Sequence, residues 1–538
     1  MKGAGNDLFK QERYTEAIAK YKAAQAYSVE NKDDLAALLH NIGLSHEKMN
    51  DLEEAVKAYS EAITLKDKYI KVLKRRSNLL CKLGRYQEAL DDLVDVVVDE
   101  IKDQQKKVAV TGVNGFMPGG FQMETSQRLV DILLGQTEVE TQKVLANHAS
   151  CSPPVTIVEA FLRMFNGDQV SRIWKGLEPS AVDEQIAQGK TDDLKGYMAA
   201  LRDLKLKKYD AIVKHCTEEI ENPDASEENV LNARFLRGTM TFIWTLSSQT
   251  VEDFIKVTES PLASNKMKSS AYLKLAMRHT NTRHPFSKSD TIQTISEDYS
   301  KAEELWVENP DIYYHGSLLL VDRAVPLQGL DMLEMGIRFC APETSIMMKT
   351  FFWTLQLTIT NEDSVRNNAY LELKKLEHEF DSAECHEMFG QALMAAGGDE
   401  RQAEYNEQFD KAIACNPQDP VFKIKKLIFR HWLGENGNLV KEDHALAEMD
   451  SFIETEGPNN LAYYHIGQME ILRGNAEKGL EALEKSIELT GSIHEIEARV
   501  AAKLEMIFYL RVNSRLKEEG LEDLADQLQN LTLKQPFP

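Results

Sequence analysis

The sequence predicts an all-α superhelix of stacked helix pairs, an α-solenoid, with three pairs at the N-terminus and about eight more after them. Three observations predict it. One pattern of small and bulky residues recurs almost letter for letter between Lys2 and Leu93. Asn222-Pro223, Asn309-Pro310, Asn416-Pro417 and Gly457-Pro458 punctuate the later helical segments. Alternating strand patterns are essentially absent.

The first copy of the pattern is Gly5, Leu8, Tyr14, Ala17, Tyr21 and Ala24. The second is Gly43, Leu52, Ala55, Tyr59 and Ala62, and the third Ser77, Leu80, Gly84, Tyr86, Ala89 and Leu93. This spacing resembles the tetratricopeptide repeat, a helix pair of about 34 residues. Ala17 to Ala55 is 38 residues and Ala55 to Ala89 is 34, which puts the excess in a loop near Ser28–Asp34. The small residues mark where two helices cross closely; the aromatic and aliphatic ones fill the gap between neighbouring pairs.

The same stretch carries the sharpest chemical signal. The first helices of the three repeats hold Lys2 and Asn6, then Asn41, then Lys71 and Arg75. Lys2/Asn6 and Lys71/Arg75 are four apart, so each pair shares a helical face. First helices of stacked pairs line the concave side of such a superhelix, so three cations and two amides are expected in one groove. That groove is rich in donors and nearly free of competing acceptors, which suits a terminal carboxylate plus an acidic side chain. A single helical Lys or Arg is ordinarily just solvated; five polar residues at matched repeat positions are a different matter. Lys74 and Arg76 read as flanking or surface charge.

These five residues resemble the two-carboxylate clamp of tetratricopeptide domains that bind the C-terminal Glu-Glu-Val-Asp tail of the major cytosolic heat-shock chaperones. The resemblance implies that Lys2, Asn6 and Asn41 hold the tail's terminal carboxylate. It places Lys71 on the Asp side chain, and Arg75 on the peptide backbone or a neighbouring acidic group.

A chain of 538 residues implies several domains or one extended array, and 43% apolar residues can supply a core throughout. A net charge of −23 argues against a nucleic-acid backbone as partner. It favours basic, amphipathic ligands such as targeting sequences. Six cysteines without paired spacing point to a reducing compartment and structural thiols, not disulfides or a metal. No window of about 18 apolar residues is present, and no cleavable signal precedes the first repeat.

After the clamp, residues 1–107, a linker with short helices is expected over 108–190 and a second array over 191–538. Val108–Gln122 is Gly-rich and uncharged, the composition of a flexible linker. No P-loop is present: Gly189-Lys190-Thr191 lacks the earlier glycine, position 184 being Glu184. Met123–Asn147 predicts one helix and Val155–Phe165 a short apolar one, better suited to sealing an array's end than to acting as a lid. Helical pairs then follow from Thr191, with His279–Ser289 as a polar loop. The best repeat outside the first three holds Tyr463, Gly467, Gly474, Gly479, Leu483 and Ile487, and Ile493–Val512 and Leu521–Leu531 close the chain.

This layout resembles the mitochondrial outer-membrane import receptors of the seventy-kilodalton translocase class. Lys71-Val72-Leu73-Lys74-Arg75-Arg76, Pro154-Val155-Thr156 and Tyr463-Tyr464-His465-Ile466-Gly467-Gln468-Met469 look like that family's segments. The resemblance implies a receptor, not an enzyme, without cofactor, partnered by seventy- and ninety-kilodalton heat-shock chaperones, precursor proteins and other translocase subunits. Precursor segments are expected at Phe389, Met394, Tyr463, Tyr464, His465, Gln468, Met469 and Glu470, although most residues of this kind pack between repeats. The family is anchored by an N-terminal apolar helix that would precede Lys2. The expected place is therefore the cytosolic face of the outer membrane, the alternative being a cytoplasmic co-chaperone for a non-mitochondrial client. Nothing catalytic competes: His40 and His46 lack ligand-spaced partners, and Cys385-His386-Glu387 point to different helix faces.

Overall fold

A computed structural model of the chain describes residues 1–27, 31–111, 123–147, 155–244, 248–280, 289–322, 325–380, 382–396, 402–432, 443–491 and 493–525. Every regular element among them is helical. Most of the Gly-rich stretch and of the polar loop, and the end of the chain, lie outside the described residues. Two compact units emerge, one of Met1–His148, Ile466–Ile487 and Glu497–Pro538, the other of Ala149–His465 and Glu488–Ile496.

The first unit begins with three pairs: α1 (Lys2–Lys10) with α2 (Tyr14–Gln25), α3 (Lys32–Lys48) with α4 (Leu52–Leu65), and α5 (Ile70–Lys82) with α6 (Tyr86–Thr111). The Asn31 side chain starts α3 by accepting from the backbone N–H of Asp33 and Asp34. The three intra-pair turns are alike. Glu12, Asn50 and Gly84 take positive φ, and the next N–H reaches five residues back, Arg13 to Leu8, Asp51 to His46 and Arg85 to Leu80. Each turn thereby satisfies a carbonyl left open at the end of a first helix.

Close crossing fixes each pair. A Cβ on Gly5 would lie 2.5 Å from the Tyr21 ring, and one on Gly43 2.5 Å from the Tyr59 ring. In both cases the ring follows the glycine by sixteen residues. The same offset recurs at Gly238 against Phe254, Gly316 against Met332 and Gly467 against Leu483. In the third pair Ser77 takes the glycine's place and bonds the Ala89 carbonyl at 3.1 Å.

A second device uses the same offset. Arg76 grips Asp92 through Nε at 2.8 Å and Nη2 at 2.5 Å, and Arg237 grips Asp253 through Nε and Nη2, both at 2.8 Å. Each arginine also reaches a hydroxyl of the preceding pair, Ser60 or Thr217. Arg76 is thus a fork-to-fork tie across its own pair, not a surface charge. Lys74, likewise expected at the surface, pairs with buried Glu100 at 2.7 Å.

What covers α6 departs from the expected boundaries at 107 and 190. Leu90, Leu93 and Val97 share a core with Phe508, Val512 and Leu516 of the Ile493–Glu518 helix. Arg511 pairs with Asp91, Arg515 with Asp95 at 2.9 Å, and Lys68 and Lys102 with Glu519. The Ile493–Glu518 helix thus closes the first array, because the last helix of a stack would otherwise leave its apolar face in water. α7 (Met123–Asn147) packs there too, with Gly135 against Tyr86.

The second unit starts with α8 (Val155–Met164) and α9 (Gln169–Trp174). α8 buries Val158 and Leu162 in the core that holds Phe235 and Phe242. Helix pairs then run from Gly196 to Glu456, including Ile346–Ile359 with Asp363–Leu376, which the sequence reading left unassigned. Pro310, Pro326 and Pro420 each stand first in a helix, where the missing N–H costs nothing.

A charged knot ties α9 to this array. Lys274 and Asp168 are both fully buried and paired with each other. The ammonium also lies 4.9 Å from the Phe235 ring centroid and 5.2 Å from that of Phe165. Asp168 caps α9 through the Ser171 N–H, and Asp311 accepts the N–H groups of Asn166, Gly167 and Asp168. Burial pushes the Asp311 carboxyl up to about 6 against the pull of those donors.

Two predictions follow from packing and burial. Gly43→Ala is expected to cost about 1–3 kcal/mol, while Gly3→Ala, with nothing within 4 Å of the added carbon, costs nothing measurable in urea denaturation. Equal effects would refute the close crossing. Lys274→Met strands a buried carboxylate and is expected to lose about 3–5 kcal/mol, most of it recovered when Asp168→Asn is added.

Candidate functional site

The site is built on α1, α3 and α5, the first helices of the three N-terminal pairs. Gly5 lets the Tyr21 ring lie against α1, and from there the Tyr21 hydroxyl donates to Asn6 Oδ1 at 2.9 Å. Asn41 Nδ2 donates to the same oxygen at 3.3 Å. With its carbonyl oxygen held twice, Asn6 is left with its amide nitrogen as a donor. The Asn41 oxygen lies 3.3 Å from His40 Nδ1. His40 is buried, its pKa driven down to about 4 by that burial and by Lys71, with Arg75 adding to the effect. It is therefore neutral at pH 7 and adds no charge.

Beside Asn6 and Asn41 opens a cleft of about 220 Å³ lined also by Phe9, Lys10, Tyr21 and Leu44. Its lining thus combines apolar side chains with two amides, a phenol and an ammonium. Phe9, Lys10 and Leu44 were not singled out from the sequence. Lys10 was findable, since it stands four residues after Asn6 on the same helix face.

The expected cations differ in what already holds them. Lys71 is exposed and has no hydrogen bond or ion pair among the described residues. On the same helix Lys74, Arg75 and Arg76 are all committed to Glu100, Glu47 and Asp92. Lys2 is exposed and stands 3.8 Å from Asp34, a weak contact in water. Arg75 Nη1 lies 3.2 and 3.1 Å from the two oxygens of Glu47, which also accepts from Tyr59 at 2.7 Å. The expectation of a groove nearly free of acceptors is thus corrected: Asp34 and Glu47 already face two of the three cations. Glu47 lies six residues from Asn41, outside the repeat positions compared, so nothing in the pattern pointed to it.

The residues expected to meet precursors divide. Phe389 is fully buried, packed with Tyr370, Phe380 and Phe409, and is corrected to core. Tyr464 and Gln468 are buried as well. Met394, Tyr463, His465, Met469 and Glu470 are half-buried and keep some surface.

A tetratricopeptide-repeat family model matches residues 1–68. The chain is 25% identical to the mitochondrial import receptor subunit TOM70 of Homo sapiens over 505 residues, 92% of this chain and 76% of that protein. It is also 30% identical over 104 residues to the human DnaJ homolog subfamily C member 7, covering 19% of this chain and 21% of the relative. The crystal structure of yeast Tom70 aligns over 98% of both chains at 18% identity, with a TM-score of 0.44, too loose a superposition to weigh. The relatives matched along most of the chain are receptors by name, not enzymes. The chain is thus similar to TOM70 along most of its length, and its fold is an all-α tetratricopeptide-repeat solenoid.

Proposed function

We propose that the chain is an import receptor that docks the Glu-Glu-Val-Asp tails of seventy- and ninety-kilodalton cytosolic heat-shock chaperones and receives hydrophobic mitochondrial precursors from them. The observation that carries the docking half is the contrast along α5. Of the four cations between positions 71 and 76, Lys74, Arg75 and Arg76 are spent on intramolecular carboxylates, and Lys71 is uncommitted among the described residues, near neutral His40 and its neighbour Asn41. Two linked amides on a cleft that also holds Phe9, Leu44 and Lys10, with the exposed Lys71 ammonium on the same set of first helices, suit a carboxylate that follows an apolar residue.

In this reading the terminal carboxylate rests on Lys2, Asn6 and Asn41, and the terminal Asp side chain on Lys71. The receiving half is supported by similarity over 92% of the chain to proteins named import receptors. Precursor contacts fall to the surface-reaching parts of Met394, Tyr463 and His465. The place of action is the cytosolic face of the mitochondrial outer membrane, beside other translocase subunits. Among the described residues no helix is long and apolar enough to cross a membrane.

Calorimetry with a Glu-Glu-Val-Asp peptide tests the docking half. Lys71→Ala is expected to lose about 2–5 kcal/mol of binding, the range for a charge contact desolvated by the bound peptide; unchanged affinity would remove the clamp. The same variant is expected to bind a hydrophobic carrier-precursor peptide as the parent does. A parallel loss would mean that one surface serves both ligands.

A further inference from the structure

Glu47 is misplaced by every local rule. It stands in the last turn of α3, where the helix dipole disfavours a carboxylate, and it sits among residues expected to receive an anion. Two groups hold it there. Arg75 Nη1 spans both of its oxygens at 3.2 and 3.1 Å, and the Tyr59 hydroxyl donates at 2.7 Å. The Tyr59 ring in turn is fixed by its close approach to Gly43. Burial, and then Glu47 itself, raise the Tyr59 pKa, so that hydroxyl keeps its proton and remains a donor.

The pair is not sealed from ligand. The Glu47 side chain is 24% exposed and that of Arg75 36%. An acidic group arriving at Arg75 has two routes. It can displace Glu47, which leaves that carboxylate with Tyr59 alone, or it can share the guanidinium, which sets two carboxylates side by side. Both routes are unfavourable. A neutral hydrogen-bonding group at the same place meets neither penalty, because the remaining guanidinium donors can serve it without moving Glu47.

We infer that Glu47 is a built-in carboxylate that occupies the Arg75 end of the clamp and sets its specificity. The site then reads a peptide's terminal carboxylate and last acidic side chain but gains little from acidic residues upstream. This rests on the docking function proposed above and adds to it which part of an acidic tail is read. Lys71 stays available for the terminal residue, while Arg75 acts on the upstream backbone under restraint from Glu47.

The test is Glu47→Gln, which keeps the acceptor toward Tyr59 and Arg75 and removes only the charge. Full-length protein is titrated with Glu-Glu-Val-Asp and Gln-Gln-Val-Asp peptides, both with free C-termini. The parent is expected to bind the two within about twofold, and Glu47→Gln to bind the acidic one about five- to tenfold tighter than the parent does, with the Gln-Gln peptide unmoved. Acidic-peptide affinity that is unchanged or weaker in Glu47→Gln overturns the inference, and Glu47 is then a positioning residue for Arg75. If neither peptide binds parent or variant, the docking function falls as well, so the two failures are told apart.

Discussion

Five of the described helix pairs are held by a contact with little slack in it. A side chain on the first helix would overlap the bulky group that follows sixteen residues later, so the first position must be small and the second large. That constraint fixes the rotation of the first helix about its own axis. Once Gly5 and Gly43 face Tyr21 and Tyr59, Asn6 and Asn41 are turned toward a common cleft, and the tyrosine hydroxyls sit within reach of Asn6 and Glu47. The crossing that builds the array is thus the same interaction that aims its polar residues.

Charge is sorted by the same geometry. α5 carries Lys71, Lys74, Arg75 and Arg76 within one and a half turns, an electrostatic load that a free helix would leave in water. Arg76 is taken up by Asp92, at the offset of the crossing itself, and Lys74 by Glu100, which also accepts from the Thr125 hydroxyl. Both acids are buried, so these pairs are firmly specified, whereas Lys71 projects outward. The cluster therefore acts with far less than its formal charge. Of these four cations, Lys71 is the one left over among the described residues.

The fold was legible because the crossing leaves a mark in the sequence, and it was least legible where that mark uses other letters. Gly5 with Tyr21 and Gly43 with Tyr59 announce themselves, but Gly238 with Phe254 and Gly316 with Met332 obey the same rule without a tyrosine. Reading the offset rather than the residue type would have found them. Ile346–Ile359 escaped assignment because its apolar residues fall on every side of the helix, with Lys349, Thr350, Thr354, Gln356 and Thr358 scattered among them, leaving no periodic face to recognise. The partnership of Phe508 and Val512 with Leu93 was beyond reach, since it joins the two ends of the chain. In the site, repeat spacing brought Asn6 and Asn41 together correctly. Spacing says nothing about which acid has already claimed a cation, so the roles of Glu47 and Asp34 show only in the folded chain.

The most direct measurement of whether α1, α3 and α5 present one anion site is a crystal structure of the full chain with a Glu-Glu-Val-Asp peptide. The terminal carboxylate is expected within hydrogen-bond distance of Asn6 and Asn41, with the last side chain on Lys71 and the valine against Phe9 and Leu44. A peptide bound elsewhere, or one whose terminal carboxylate touches none of these residues, would contradict the clamp and leave the three first helices as scaffold alone.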